Sequence, residues 1–213
     1  MDVRITPAAL CGEVQAISSK SDLHRALIAA AMSDLPTKIK YNGISKDIEA
    51  TANCLRSMGA GVEITEKQIH VTPIFKPENA ELDCGESGST LRFLLPIVPA
   101  LKISASFKGS GRLKERPLSP LYEELLKKGC VMTEQGKFPL KVSGELNSGD
   151  FTLSGNVSSQ FVTGLMFALP LLNGDSSITL LPPIESKSYI NMTVSVLSEF
   201  GINITEHENA YYI

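Results

Sequence analysis

The sequence lacks a strong excess of charge of either sign. Its 213 residues include 20 Lys and Arg against 23 Asp and Glu, which gives a formal net charge of -3. Because nucleic-acid binding relies on a basic surface, this balance argues against nucleic acid as a main partner. The basic residues are scattered along the chain, so a few of them remain available for a site that binds a small anion.

Long apolar runs and metal-ligand spacings are also missing. No run approaches the ~20 apolar residues of a membrane span, and the first ten residues lack the pattern of a signal peptide. We therefore expect a soluble, cytoplasmic protein. The cysteines, Cys11, Cys54, Cys84 and Cys130, form no CxxC pair, and only three His are present. This gives little support to a zinc site, so we expect buried free thiols and no metal.

What the sequence does contain is internal repetition. The segments 61–66, 129–134 and 201–206 each begin with Gly, alternate apolar residues and end in Thr-Glu. Each predicts the end of a helix followed by a strand, and a polar turn and a second strand follow each time. We infer three related units, residues 12–78, 79–148 and 149–213.

Each unit also contains two predicted helices. The first is nearly free of charge and is predicted to be the more buried of the two, at 23–33, 91–101 and 161–173. The second carries one apolar stripe; in the middle unit Pro117 is predicted to lie in its first turn. An extended stretch, such as 13–17, precedes the first helix. Each unit therefore reads as strand, turn, helix, connection, helix and hairpin.

The turns before the first helices, 18–21, 85–89 and 155–159, are rich in Ser and Gly. A helix amino terminus offers unpaired N–H groups and partial positive charge, so small residues there let an anion approach. Capping by Ser is the simpler explanation for any single turn. Three such turns, together with Lys20, Arg25, Arg92 and Arg116, favour a site for several anionic groups.

Two further segments carry candidate ligands, but no catalytic base is evident. Arg112, Lys114 and Arg116 precede a predicted helix, where positive charges oppose the helix dipole and indicate an anionic partner. Ser186 is either a helix cap or a ligand. His24 is predicted to be structural or exposed. No nucleophile elbow, phosphate-binding P-loop or HExxH motif is present.

These segments resemble the motifs of the enolpyruvyl transferases. Their combination and order are specific to the 5-enolpyruvylshikimate-3-phosphate synthase family. The matching stretches are Ser19-Lys-Ser21 with His24-Arg-Ala26, Gly85-Glu-Ser-Gly-Ser-Thr-Leu-Arg92, Arg112-Leu-Lys-Glu-Arg-Pro117, Ser158-Ser-Gln160 and Ser186-Lys-Ser-Tyr189-Ile. Glu86 stands where the family has Asn, and His24 also replaces an Asn. Glu86 must therefore point away from the anion site, be protonated or be paired.

The resemblance implies an α/β (α+β) fold, one lobe of an inside-out α/β barrel built from three βαβαββ units. Residues 1–11 would join a second lobe, and residues 12–213 would form this one. The family transfers the enolpyruvyl group of phosphoenolpyruvate to the 5-hydroxyl of shikimate 3-phosphate and releases phosphate. It needs no metal or organic cofactor and is usually monomeric. Its proton-transfer groups belong to the second lobe, so these 213 residues are expected to be inactive alone.

The resemblance also implies binding residues at matching positions. Those for shikimate 3-phosphate are Lys20, Ser21, Arg25, Ser158, Ser159, Gln160 and Ser186. Those for phosphoenolpyruvate are Lys20, Gly88, Arg116 and Gln160. One alternative is a lobe of the related UDP-N-acetylglucosamine enolpyruvyl transferase. A second is a non-catalytic repeat scaffold, which would be favoured if the basic residues proved dispersed over the surface.

Overall fold

The structure, a computed structural model, describes residues 3–4, 6–9 and 11–213. Its helices are α1 Lys20–Met32, α2 Lys46–Ser57, α3 Gly88–Ala100, α4 Leu121–Lys127, α5 Ser159–Ala168 and α6 Lys187–Glu199, with 3₁₀ helices at Gly111–Glu115 and Leu169–Leu171. Its strands are β1 Thr37–Lys40, β2 Gly61–Ile64, β3 Gln68–Thr72, β4 Ala80–Asp83, β5 Ala105–Lys108, β6 Cys130–Met132, β7 Leu140–Gly144, β8 Asp150–Ser154, β9 Ser177–Leu181, β10 Thr205–His207 and β11 Ala210–Tyr212.

The strands form three small sheets, of which the second and third share one topology and the first has only the antiparallel part of it. Their strand orders are β1-β3-β2, β4-β5-β7-β6 and β8-β9-β11-β10. In the second and third sheets the strand before the buried helix pairs in parallel with the strand after it, as Ala80 with Ala105 and Asp150 with Ser177. The remaining strands of each sheet pair antiparallel. The structure therefore has the mixed helix and sheet composition predicted from the sequence.

The first sheet has three strands where the others have four. The prediction of an extended strand at 13–17 is wrong, because these residues form neither helix nor strand. This segment bonds to the residues that follow β1, where the Ser18 N–H donates to the Asn42 carbonyl at 2.8 Å. Val14 and Ile17 consequently stay exposed. Within the described residues, the outer edge of β1 carries no paired strand.

The core is built around α1, α3 and α5, whose amino termini are fixed by serine caps. The hydroxyls of Ser19, Ser87 and Ser158 each accept a backbone N–H from the first turn of the helix that follows. Nearly every residue of α3 and α5 is buried. Gly164 lets α5 approach α3 closely, since a Cβ there would collide with the Arg92 carbonyl.

Three sequence predictions need correction. α4 begins at Leu121 with Pro120 as its N-cap, so Pro117 lies outside the helix, separated from it by the non-helical residues 118–120. Arg112 and Lys114 do not directly precede α4. They lie on the 3₁₀ helix Gly111–Glu115 and are exposed. Cys11 is exposed, whereas Cys54, Cys84 and Cys130 are buried as predicted.

Two other predictions concern the chain's surroundings. Across the part of the chain that the structure describes, none of the helices has the length and apolar character needed to cross a membrane. The segment 1–11, which the resemblance assigns to contact with a second lobe, lies partly outside the described residues, because residues 1, 2, 5 and 10 are not described. Its described residues are exposed and belong to no helix or strand.

Candidate anion-binding site

The first turns of four helices, α1, α3, α5 and α6, meet around one open cleft of about 350 Å³. Helix amino termini direct unpaired N–H groups and partial positive charge into the space they share. The cleft is lined by Lys20, Ser21, Arg25, Ser89, Phe93, Val157, Ser158, Ser159, Gln160, Ser186 and Tyr189. Among these described residues there are two cations, five serines and no carboxylate. The lining is therefore suited to an anion.

Arg25 is a buried cation that lacks a carboxylate partner among the described residues. Its side chain is 2% exposed. It donates from Nε to Thr193 Oγ1, from Nη1 to the Ser21 carbonyl, and from Nη2 to Thr163 Oγ1 and the Tyr189 carbonyl, at 2.7–3.1 Å. Burial lowers the pKa of Arg25 to about 10, so the group stays charged at neutral pH. Its positive charge is thus held beside the cleft by neutral oxygens.

Lys20 reaches the rim of the cleft from the first residue of α1. Its ammonium donates to Asp47 Oδ2 at 2.7 Å, and both side chains are partly exposed. Such an exposed ion pair contributes little to stability, roughly 0–1 kcal/mol. Asp47 therefore positions Lys20 without neutralising a buried charge, and an arriving anion can contact the same ammonium.

Gln160 connects the cleft to a second pair of cations. Its side chain donates to Ser89 Oγ at 2.8 Å and accepts a bond from Arg92 Nη1 at 2.6 Å. Arg92 also donates to the Pro117 carbonyl, and its buried Nε has no partner within the described structure. Burial, and then the nearby charge of Arg116, lowers the pKa of Arg92. Two guanidinium groups therefore lie close together next to Gln160.

Gly88 and Arg116 lie against each other beside the cleft and outside its lining. A Cβ at Gly88 would come within 2.5 Å of Arg116 Nη1, so glycine leaves room for the guanidinium over the first turn of α3. Arg116 is exposed and follows the 3₁₀ helix as its C-cap. The other residues that the resemblance implies as ligands line the cleft, whereas Arg92, Arg112 and Lys114 do not.

Two residues in the neighbourhood have structural explanations. The carboxylate of Glu86 packs against Gly111, whose φ of +53° and missing side chain make room for it, and Glu86 does not line the cleft. His24 is buried behind Arg25, with Nδ1 bonded to Thr51 Oγ1 at 2.8 Å. Burial lowers the pKa of His24 to about 4, so it is neutral at pH 7. Neither residue is placed to act as a base in the cleft.

Ser186 occupies the N-cap position of α6 without using its hydroxyl as a cap. Its backbone is left-handed, with φ +55° and ψ +32°. A non-glycine residue held in this region is strained, and such positions concentrate at functional sites. Its hydroxyl lines the cleft.

The sequence reasoning missed several residues at this site. Ser89, Phe93, Val157 and Tyr189 line the cleft, and Asp47 holds Lys20. Ser89 and Tyr189 lie in motifs already recognised, one helical turn or less from predicted ligands, so helical periodicity could have found them. Asp47 lies 27 residues from Lys20 and gives no local signal.

The chain matches known proteins along nearly its whole length. Residues 5–213 match the family description EPSP synthase (3-phosphoshikimate 1-carboxyvinyltransferase). Relatives named 3-phosphoshikimate 1-carboxyvinyltransferase include one from Clostridium botulinum, 41% identical over 99% of this chain and 50% of the relative. Another, from Clostridium kluyveri, is 44% identical over 94% of this chain and 48% of the relative. The chain spans about half the length of the curated relatives it matches.

Solved structures confirm the predicted fold class. An EPSP synthase from Acinetobacter baumannii superposes with a TM-score of 0.81 at 22% identity, over 95% of this chain and 46% of that one. An enolpyruvyl transferase from Streptomyces tendae superposes with a TM-score of 0.66 at 17% identity. Since the family description covers nearly the whole sequence, this chain belongs to the EPSP synthase (3-phosphoshikimate 1-carboxyvinyltransferase) family.

Proposed function

We propose that this chain supplies the shikimate 3-phosphate side of an enzyme that transfers the enolpyruvyl group of phosphoenolpyruvate to the 5-hydroxyl of shikimate 3-phosphate. The observation that carries the proposal is Arg25, a buried guanidinium that faces a cleft of serines and helix amino termini. A buried charge without an acidic partner is costly, and an anionic ligand offsets that cost. Shikimate 3-phosphate carries two anionic groups, a phosphate and a carboxylate.

The residues proposed for shikimate 3-phosphate share the lining of one cleft. Hydroxyl and N–H donors at helix amino termini suit a phosphate, and Arg25 and Lys20 add the positive charge that a phosphate or carboxylate requires. The proposed ligands are Lys20, Ser21, Arg25, Ser158, Ser159, Gln160 and Ser186.

The residues proposed for phosphoenolpyruvate lie at the neighbouring end of the site. Lys20 and Gln160 are proposed for both ligands, as the family resemblance implies, and Gln160 bonds Ser89 of α3 at the edge of the cleft. Arg116, stacked over Gly88, presents an exposed guanidinium that suits a phosphate or carboxylate. Lys20 would thus lie between the two substrates as a shared point charge.

We further propose that the partner of this lobe is the second half of the same enzyme. The curated relatives are about twice as long as the matched region, and the cleft is open on one side. The outer edge of β1 offers unpaired backbone groups within the described residues, and such an edge readily accepts another strand. The second lobe would close the cleft and supply the groups that move protons.

The two alternative functions receive less support. A repeat scaffold was expected if the basic residues proved dispersed, and Lys20 and Arg25 instead share one cleft with the serine turns. No feature of the cleft favours UDP-N-acetylglucosamine over shikimate 3-phosphate, and the relatives carry the name of the shikimate enzyme.

Calorimetric titration with a panel of ligands tests the proposal. Shikimate 3-phosphate should bind, shikimate and inorganic phosphate should bind more weakly, and UDP-N-acetylglucosamine should not bind. Lys20→Ala should abolish measurable binding. Lys108→Ala is the matched control, because Lys108 also pairs with a carboxylate, Glu81, at 2.6 Å but lies outside the cleft. Binding of UDP-N-acetylglucosamine alone would replace the proposal with the sister activity. Equal loss in both variants would show that the anion binds elsewhere.

A further inference from the structure

Two buried cysteines from different elements lie against each other. Cys54 belongs to α2, and Cys84 directly follows β4. Cys54 Sγ donates to the Asp83 carbonyl at 3.4 Å, which places it beside the residue that precedes Cys84. That carbonyl belongs to the peptide bond into Cys84, so the Cys54 sulfur lies against the Cys84 backbone. Both residues are in the free thiol state and are at most 1% exposed.

We propose that Cys54 and Cys84 form an oxidation site that closes to a disulfide between α2 and the turn before α3. The pairing links segments that are already neighbours, because Cys54 Sγ contacts the peptide bond between Asp83 and Cys84. A peroxide is the oxidant by chemical class. The Cys54 thiolate attacks a peroxide oxygen and breaks the O–O bond, which gives a sulfenic acid and a hydroxide that takes a proton from solvent to become water. The Cys84 sulfur then attacks the sulfenic sulfur, forms the S–S bond and releases a second water.

Access to the pair comes from the side of α2. Cys54 forms part of the wall of an open surface groove of about 390 Å³, whose other lining residues include Lys46, Asn53 and Asp83. Cys84 does not line this groove. A molecule as small as hydrogen peroxide therefore meets Cys54 first, and Cys84 serves as the resolving thiol.

The environment of Cys84 affects the second step of this reaction. The neighbouring Cys54 thiol, and then desolvation, raise the pKa of the Cys84 thiol well above its ordinary value. Because the thiolate is the reactive species, closure of the disulfide by Cys84 should be slow at neutral pH and accelerate as pH rises. Cys130 is the internal comparison: burial raises its pKa to about 12, and that shift involves no second thiol.

The Cys54–Cys84 disulfide would constrain the turn before α3, which leads into the anion-binding cleft. The Ser87 N–H donates to the Cys84 carbonyl at 2.9 Å, and the Gly85 N–H donates to Asp83 Oδ1 at 2.9 Å. Ser87 is the N-cap of α3, so the disulfide would tie α2 to the backbone that leads into Gly88 and Ser89. This proposal does not rest on the proposed function, because it concerns only the chemistry of the two thiols.

Peptide mapping after oxidation tests the proposal. The reduced full chain is treated with hydrogen peroxide near the ordinary thiol pKa of about 8.5, then unfolded in N-ethylmaleimide and digested. We expect a crosslinked peptide pair that contains Cys54 and Cys84, lacks both alkyl groups and is restored by dithiothreitol. Cys130 should remain alkylated. Cys130→Ser should leave the crosslink unchanged, and Cys84→Ser should abolish it.

Other products would overturn the proposal. One is alkylation of both Cys54 and Cys84 after the exposed Cys11 has been oxidised. Another is a sulfinic acid on Cys54 without a crosslink, and a third is a disulfide from either residue to Cys11. The mapping on the unsubstituted chain decides among these outcomes even if a variant fails to fold.

Discussion

Arg25 Nε donates to Thr193 Oγ1 at 2.8 Å, which joins α1 to α6 across 168 residues of sequence. Thr193 also bonds Thr163 of α5 at 2.8 Å, and the Thr163 hydroxyl accepts a bond from Arg25 Nη2. One buried cation thus unites three helices whose first turns form the cleft. The same contacts that hold the lobe together also orient its main candidate ligand.

Replacement of Thr193 by Val should destabilise the lobe. The change keeps the side-chain shape but leaves the buried Nε–H of Arg25 without an acceptor, a cost of about 1–3 kcal/mol. Urea unfolding measures this loss, and Thr152→Val, at an exposed position of β8, is the control. Equal unfolding free energies for the two variants would mean that water or another group satisfies Arg25.

Two glycine-to-alanine changes should affect different properties, one the stability of the fold and the other the position of Arg116. Ala at position 164 would place a Cβ against the Arg92 carbonyl in the packed α3–α5 interface, and overpacking of this kind costs about 1–3 kcal/mol. Ala at position 88 meets only the flexible end of the exposed Arg116 side chain. Gly88→Ala should therefore keep its stability, within about 0.5 kcal/mol, and move the Arg116 guanidinium.

Urea unfolding and the NMR signal of Arg116 Nε separate these two effects. Gly164→Ala should shift the unfolding midpoint, and Gly88→Ala should shift the Nε signal. A large stability loss in Gly88→Ala would show that Arg116 is held rigidly over α3. An unchanged midpoint in Gly164→Ala would show that the two helices can separate at no cost.

The stability of the lobe should fall as pH decreases from about 6.5 to about 4. His24 has a folded pKa of about 4 because of burial, below its ordinary 6.5. Between these values the unfolded chain binds a proton that the folded chain excludes, so stability is complete above the unfolded pKa and is lost as pH falls towards the folded one. A shift of this size corresponds to about 3 kcal/mol.

His24→Asn should remove most of that dependence. Free energies of unfolding measured by urea titration at several pH values give the slope for each protein. If the slope between pH 4 and 6.5 is the same in the variant, carboxylates rather than His24 cause the acid sensitivity.

These 213 residues alone should show no detectable enolpyruvyl transfer. An open half-site cannot hold the substrates in the reacting geometry, and such positioning lowers the activation free energy by ~7–11 kcal/mol. Proton-transfer groups contribute roughly another 10²–10⁴-fold in rate. A coupled assay of phosphate release checks this expectation, with a full-length relative as the positive control. Turnover near that of the full-length enzyme would place the catalytic groups within this chain.

Local sequence signals predicted much of this lobe. Serine before an apolar periodic run predicts a capped helix, and the caps at Ser19, Ser87 and Ser158 follow from that rule. The repeated Gly-to-Thr-Glu signature also located two of the three hairpin strands closely, at Gly61 and Cys130. These features depend on neighbouring residues, which a sequence displays directly.

Features set by distant residues could not be predicted in the same way. The stretch 13–17 has the alternation of a strand, but it forms no ladder with β1, whose outer edge stays unpaired within the described residues. The position of the charged Glu86 side chain depends on the space over Gly111, which lies 25 residues further along the chain. The pairing of Lys20 with Asp47 and of Arg25 with Thr193 required the packed arrangement of helices.

A crystal structure of the chain with shikimate 3-phosphate tests the central claim most directly. The account predicts that the ligand occupies the cleft at the first turns of α1, α3, α5 and α6, with an anionic group within hydrogen-bonding distance of Lys20 or Arg25 and of the serines at 158 and 159. Ligand bound only elsewhere on the surface, with this cleft empty at saturating concentration, would contradict it.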